Sequence, residues 1–250
     1  MAGKSVIITG ASSGIGRALA FEFAKYGYSL GLTARRYELL KTLQQELNSR
    51  FGKDLHIELR VLDVTIYREV YRILKELNYA LGGMNILVVN AGIAGSKKVG
   101  SGHFQTDKNI IETNLLGAIA CVDAGVEILR SQKKPGQIVG ISSLAGLRGF
   151  PGNASYCASK SAFTTYLEAA RLEVKSDEIH VTTILPGFID TNMNRHMKHR
   201  PFVISVEEGA KKIFKAIIQK KKVAVVPAFP WKIILPFISI IPGRFFVRKK

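Results

Sequence analysis

A chain of 250 residues, 47% apolar, fills the core of one α/β domain and needs no second. Its two cysteines, Cys121 and Cys157, exclude a disulfide framework and point to a reducing, cytoplasmic setting, and no His or Cys spacing suits a metal site. The net charge of +17 is gathered at one end: Arg195 to Lys250 holds fourteen Lys or Arg against Glu207 and Glu208, which is +12 of the total.

The N-terminus, MAGKSVIITG, runs into a β-branched stretch with no apolar leader before it, so a secretory signal is not expected. Strands are predicted at residues 5–9, 29–33, 56–61, 85–90, 137–141, 180–185 and 223–226. Helices are predicted to begin near Gly14, Tyr37, Tyr67, Asp107, Ser155 and Ser205. The last opens on Ser205-Val-Glu-Glu208, a capping box whose Ser hydroxyl and Glu carboxylate satisfy free amides at the helix start. This alternation predicts one doubly wound, Rossmann-like domain: a seven-stranded parallel sheet with helices on both faces. No repeat or linker interrupts it, so residues 1–227 form the body, and residues 228–250 form a basic, hydrophobic tail of the same domain.

After the first strand comes Thr9-Gly10-Ala11-Ser12-Ser13-Gly14-Ile15-Gly16, which opens a helix. Gly10 permits a sharp turn, Gly14 lets backbone amides approach a pyrophosphate, and Gly16 permits close helix packing; the helix N-terminus attracts the negative charge. The spacing departs from GxGxxG and resembles the loop of the short-chain dehydrogenase/reductase family. Further motifs follow in that family's order: Asp63-Val64 resembles its adenine contact, and Asn90-Ala91-Gly92 the motif lining its cofactor cleft. Asn114 resembles its active-site asparagine, while Ser143, Tyr156 and Lys160 resemble its catalytic residues. Pro186-Gly187, with Ile189 and Thr191, resembles its nicotinamide contact. The resemblance covers about Lys4 to Val226.

At the end of the second strand an acidic residue would hydrogen-bond the ribose of NAD and repel a 2′-phosphate. Here stands Thr33-Ala34-Arg35-Arg36, with Ala34 in place of the acid and a guanidinium fork suited to phosphate in Arg35, joined by Arg36. NADP(H) is therefore the expected cofactor, although Ser13 stands where many NADP-dependent members carry a basic residue.

Reducing a ketone requires a hydride to carbon and a proton to the developing alkoxide. Tyr156 and Lys160 lie one helical turn apart on one face, and Lys160 is expected to lower the phenol's pKa from its ordinary value near ~10. Ser143, at a strand end, is expected to hold the substrate oxygen, more so than its neighbour Ser142. By resemblance, Lys160 also reaches the cofactor's ribose, and Asn114 holds a water linking Lys160 to solvent. The rival from another class is an NADP-sensing binding protein on the same fold.

The segments 144–153 and 188–204 follow these residues and are rich in apolar side chains, among them Leu147, Phe150, Phe188, Ile189, Met193 and Met197, so a lipophilic carbonyl or alcohol is the expected substrate. Family resemblance implies a homodimer or homotetramer through the Tyr156 helix. The apolar run from Trp231 to Ile241 is shorter than the ~20 residues of a membrane span. Either it packs on the lid or a neighbouring subunit, or it lies on an anionic membrane at the cytoplasmic face; nucleic acid is not an expected partner.

Overall fold

The computed structural model describes residues 4–95, 97–197 and 199–238. Seven short apolar runs become strands: β1 (Ser5–Thr9), β2 (Ser29–Ala34), β3 (Ile57–Val61), β4 (Ile86–Val89), β5 (Gly136–Ile141), β6 (Ile179–Pro186) and β7 (Val223–Val226). All pair in parallel, in the order β3-β2-β1-β4-β5-β6-β7. Every residue of β1, β4 and β5 is buried, as a sheet covered on both faces requires. Between β1 and β4 the strand order reverses, and a crevice opens at their carboxyl ends.

The helices are α1 (Gly14–Lys25), α2 (Tyr37–Phe51), α3 (Tyr67–Ala80), α4 (Phe104–Ile111), α5 (Gly117–Gln132), α6 (Ala154–Glu173), α7 (Val206–Ile218) and α8 (Trp231–Ile238). Leu19, Phe23, Leu40 and Leu47 of α1 and α2 join Ile213 and Ile217 of α7 against Ile8, Leu30 and Val139. On the other face Leu74, Leu77, Leu129, Phe163 and Leu167 from α3, α5 and α6 pack on Ile7, Leu87 and Ile138. Gly140 brings α6 close, since a Cβ there would lie 2.2 Å from Leu167 Cδ1. That close approach carries Tyr156 and Lys160 to the end of β5.

Some expected boundaries move, for physical reasons. β4 stops at Val89 because the Asn90 amide leaves the ladder for Thr9 Oγ1, at 3.0 Å. The helix expected near Asp107 begins at Phe104 and passes through a π-helical turn, Glu112–Leu116, into α5. The run Phe104–Gln132 is long and apolar enough to cross a membrane, but its α5 part is a core helix, with Ala118, Cys121, Val122 and Leu129 buried. At α7, Ser205 Oγ accepts from the Glu208 amide at 3.1 Å, while the Glu208 carboxylate pairs with Lys212 Nζ at 3.3 Å instead of turning back. Half of the capping box therefore forms.

The tail enters the structure as α8, where Trp231 packs with Leu144 and Leu185. Residues 239–250 lie outside the described region, and with them the rest of the expected tail.

Candidate active site

The crevice at the carboxyl ends of the strands runs from the glycine-rich loop to Ser143, Tyr156 and Lys160. Gly10, Ser12, Ser13, Gly14, Ile15, Arg35, Arg36, Asp63, Val64, Asn90, Ala91, Gly92, Ser143, Tyr156, Lys160, Pro186, Gly187, Ile189 and Thr191 all line it. Of the residues expected at the site, Gly16 and Asn114 stand behind this lining and hold it in place.

At one end the loop is tied to the sheet. Thr9 Oγ1 accepts from the amides of Asn90 and Ala91 at 3.0 and 3.1 Å, and Asn90 Nδ2 donates to the carbonyls of Thr9 and Gly10 at 2.9 and 3.1 Å. Gly10 turns at φ +67, and at Gly16 a Cβ would meet Asn90 Nδ2 at 2.5 Å. A cradle this tight, opening onto a helix N-terminus, fits a pyrophosphate. Asp63 is held by its neighbours, its Oδ1 accepting from the Thr65 amide and hydroxyl at 3.0 and 2.8 Å.

The two arginines after β2 diverge. Arg35 points outward, with Nη1 3.8 Å from Asp63 Oδ2 and its side chain 62% exposed. Arg36 reaches back over the loop, and Nη2 donates to Ser12 Oγ and Ser13 Oγ, both at 3.2 Å. The guanidinium held at the loop is therefore that of Arg36 and not the expected Arg35. Two adjacent residues leaving a strand end point in different directions, and spacing alone does not rank them.

At the other end the chemistry gathers on β5 and α6. Ser143 caps the short 3-10 turn Leu144–Leu147, and its Oγ accepts from the Ala145 amide at 3.1 Å. Its hydroxyl also stands close enough to Tyr156 to draw that phenol's pKa down. Ser142 has a structural place instead: its buried hydroxyl donates to Lys160 O at 2.9 Å and pairs with Thr164 Oγ1 at 2.7 Å. Lys160 is 5% exposed, and its Nζ donates to Ile141 O at 2.9 Å.

Lys160 does not act on the phenol as expected. Its Nζ stands 6.0 Å from the Tyr156 ring centroid and commits a proton to a carbonyl. Burial thus pushes the Tyr156 phenol up, with the Ser143 hydroxyl opposing it, and pushes the Lys160 ammonium down to about 8. A phenol with a raised pKa stays protonated at neutral pH, the state in which it donates to a developing alkoxide. An amine that titrates near 8 is suited to resupply that proton.

Asn114 is wholly buried in the π-helical turn. Its Oδ1 accepts from the Ile93 amide and its Nδ2 donates to Ile93 O, each at 2.8 Å, with Ser159 Oγ at 3.4 Å. It therefore fixes the Gly92-Ile93 segment of the cleft wall, and the protein groups around it take up its polar atoms. The π-turn gives no sequence signal, because widening one turn leaves the apolar spacing almost unchanged.

The expected Met193 lines the cleft, and sequence reading missed Thr113 and, on the same loop as Met193, Asn192 and Asn194, which line it too. The Ile189–Ile204 bridge and the Ile204 amide on Phe188 O at 3.1 Å close the base of their loop. For Trp231 of α8, packing on the lid is one of the two alternatives that the sequence offers, and the side chain does meet Phe188 and Phe202 of that loop. It sits over Gly187, where a Cβ would lie 2.7 Å from its Nε1. No local pattern predicts that contact.

The short chain dehydrogenase family model matches residues 4–201. An oxidoreductase of Mycobacterium tuberculosis is 34% identical over 242 residues, which cover 96% of this chain and 95% of that protein. The NADP-dependent 3-hydroxy acid dehydrogenase of Schizosaccharomyces pombe is 33% identical over 77% of this chain and 74% of its own. A short chain dehydrogenase/reductase of Burkholderia phymatum, solved in complex with NAD, shares the fold with a TM-score of 0.85 at 21% identity, covering 95% of each chain.

Proposed function

The chain belongs to the short-chain dehydrogenase/reductase family, whose oxidoreductases use a nicotinamide cofactor, and we propose that it is an NADP-dependent carbonyl reductase, or the reverse alcohol dehydrogenase, acting on a lipophilic substrate. The observation that carries the cofactor reading is Arg36, hydrogen-bonded to Ser12 and Ser13 beside Ala34, where an NAD-selecting carboxylate would stand. A 2′-phosphate there meets a guanidinium and two hydroxyls. The S. pombe relative is NADP-dependent by name, which agrees.

The bound nicotinamide would supply the hydride. Ser143 would hold the substrate oxygen, Tyr156 would give it a proton, and Lys160 would restore the phenol. Gly187, Ile189 and Thr191 would shape the nicotinamide end of the cleft. The lipophilic reading rests on Met193 in the cleft lining, with Leu147 and Met197 exposed on flanking segments. On the outer face of α6, Ala158, Ala162, Ala169 and Leu172 are exposed, which supports packing of a second copy there.

The test is NADPH consumption with a panel of aliphatic, sterol-like and keto-acyl ketones. Turnover with at least one ketone, lost in Tyr156→Phe while NADPH binding persists, is the expected result. Undiminished turnover in that variant refutes the assignment of Tyr156, and binding without turnover on every ketone favours an NADP-sensing protein.

A further inference from the structure

Among its described side chains, helix α8 buries apolar residues and exposes a further one, Ile233, beside Lys232. Trp231 is buried, and Ile234 and Leu235 are partly buried with it against Leu144 and Leu185. The outward positions are Lys232 and Ile233, the latter 61% exposed, and Phe229 just before the helix is 76% exposed. Phe202, 51% exposed, meets the edge of the Trp231 ring with centroids 5.6 Å apart, and exposed Val203 follows it. A helix that faces water ordinarily turns polar residues outward, so this surface calls for an apolar cover.

We propose that this surface docks on an anionic phospholipid bilayer. Charge selects that occupant. From Ala228 to Lys250 the chain carries Lys232, Arg244, Arg248, Lys249 and Lys250 and no acidic residue. Cations interleaved with aromatic and aliphatic side chains suit the boundary between headgroups and acyl chains, where the apolar groups leave water and the cations meet lipid phosphate. A second copy docking on the same surface would bring two such acid-free segments together, and like charges oppose that contact. Nucleic acid would meet the cations but leave Phe229 and Ile233 uncovered.

Two basic residues of the 188–204 loop are already engaged. Arg195 and Arg200 both pair with Asp190. Docking would place the 188–204 loop, which carries Met193 of the cleft lining, next to the bilayer. An apolar substrate would then enter from lipid; that last point rests on the proposed function, whereas the docking does not.

The experiment is sedimentation of the full-length protein, without cofactor or substrate, on phosphatidylcholine vesicles and on vesicles with about one third phosphatidylglycerol. Binding to the anionic vesicles at low salt is expected to exceed binding to the neutral ones at least ~10-fold and to fall with added salt. The Phe229→Ser/Ile233→Ser double variant changes only exposed side chains and should lose at least ~10-fold in partitioning. Lys220→Gln/Lys221→Gln/Lys222→Gln, before β7 at the far end of the sheet from the cleft, should change it less than ~2-fold.

Trp231 is the only tryptophan, so vesicles with brominated acyl chains should quench its emission. Equal recovery on both vesicle types overturns the proposal, as does loss in the triple lysine variant alone or binding without quenching. Conversion of an oligomer to a monomer by Phe229→Ser/Ile233→Ser in lipid-free solution also overturns it, in favour of a contact between copies. Ketone turnover plays no part in these readouts, so failure of the docking and failure of the proposed function are separable.

Discussion

Replacing Lys160 with Met should make the protein more stable at neutral pH while abolishing turnover. Lys160 is 5% exposed, and among the described residues its ammonium has one hydrogen bond, to Ile141 O, and no carboxylate pairs with it. Burial moves its pKa from 10.5 to about 8, so at pH 7 the ammonium is held charged at a cost. A difference of about 2.5 units is about 3 kcal/mol. Met removes that cost, fills nearly the same volume and forfeits one hydrogen bond worth about 1 kcal/mol, leaving a net gain of about 2 kcal/mol. The pH dependence follows from the direction of the shift. Between about 8 and 10.5 the unfolded chain holds more protons than the folded one, so parent stability rises through that window and the gap to Lys160→Met closes. Urea unfolding of both proteins at pH 7 and near pH 10 measures this. A Lys160→Met protein less stable than its parent by the same margin at both pH values would refute the reasoning, because the lysine would then stabilise by packing alone.

Arg36→Ala removes a guanidinium held by Ser12 and Ser13. With about 1.5–3 kcal/mol per charge-assisted hydrogen bond, NADPH affinity should fall at least ~10-fold while NADH affinity changes little, as read by cofactor fluorescence titration. An equal loss for both cofactors would place Arg36 on the pyrophosphate. Gly187→Ala introduces a Cβ 2.7 Å from Trp231 Nε1 and 3.2 Å from two ring carbons, and a rigid indole does not give way as a flexible chain would. A cost of about 1–3 kcal/mol, or a drop in Tm of roughly 2–12 °C, is expected, with a shift in the emission of the single tryptophan. An unchanged Tm would mean that α8 detaches from the body freely.

Strands and helices were legible because their apolar periodicities differ, and a buried parallel strand such as Ile86–Val89 leaves little choice of placement. The site was legible where one short segment holds a whole function, as in the glycine-rich loop or in Tyr156 and Lys160 on a single helix. It was not legible where distant segments meet. The depressed pKa of Lys160 comes from the layers closing over α6, and charge counting by itself suggested the opposite influence on Tyr156. Asn114 likewise finds its partner in Ile93, 21 residues away, across a turn whose widened hydrogen bonding the sequence does not signal. Arg35 and Arg36 are adjacent, and only the path of the chain out of β2 decides which of them returns to the loop.

The knot joining Thr9 to Asn90 and Ala91 spans about 80 residues of chain. An emerging polypeptide has its glycine loop, and the strand beneath it, long before the strand that holds that loop rigid. An N-terminal half ending before β4 would therefore present a slack phosphate site, and competence to capture a dinucleotide would arrive in one step as the central strands register. Ligand capture would then report completed assembly of the central strands.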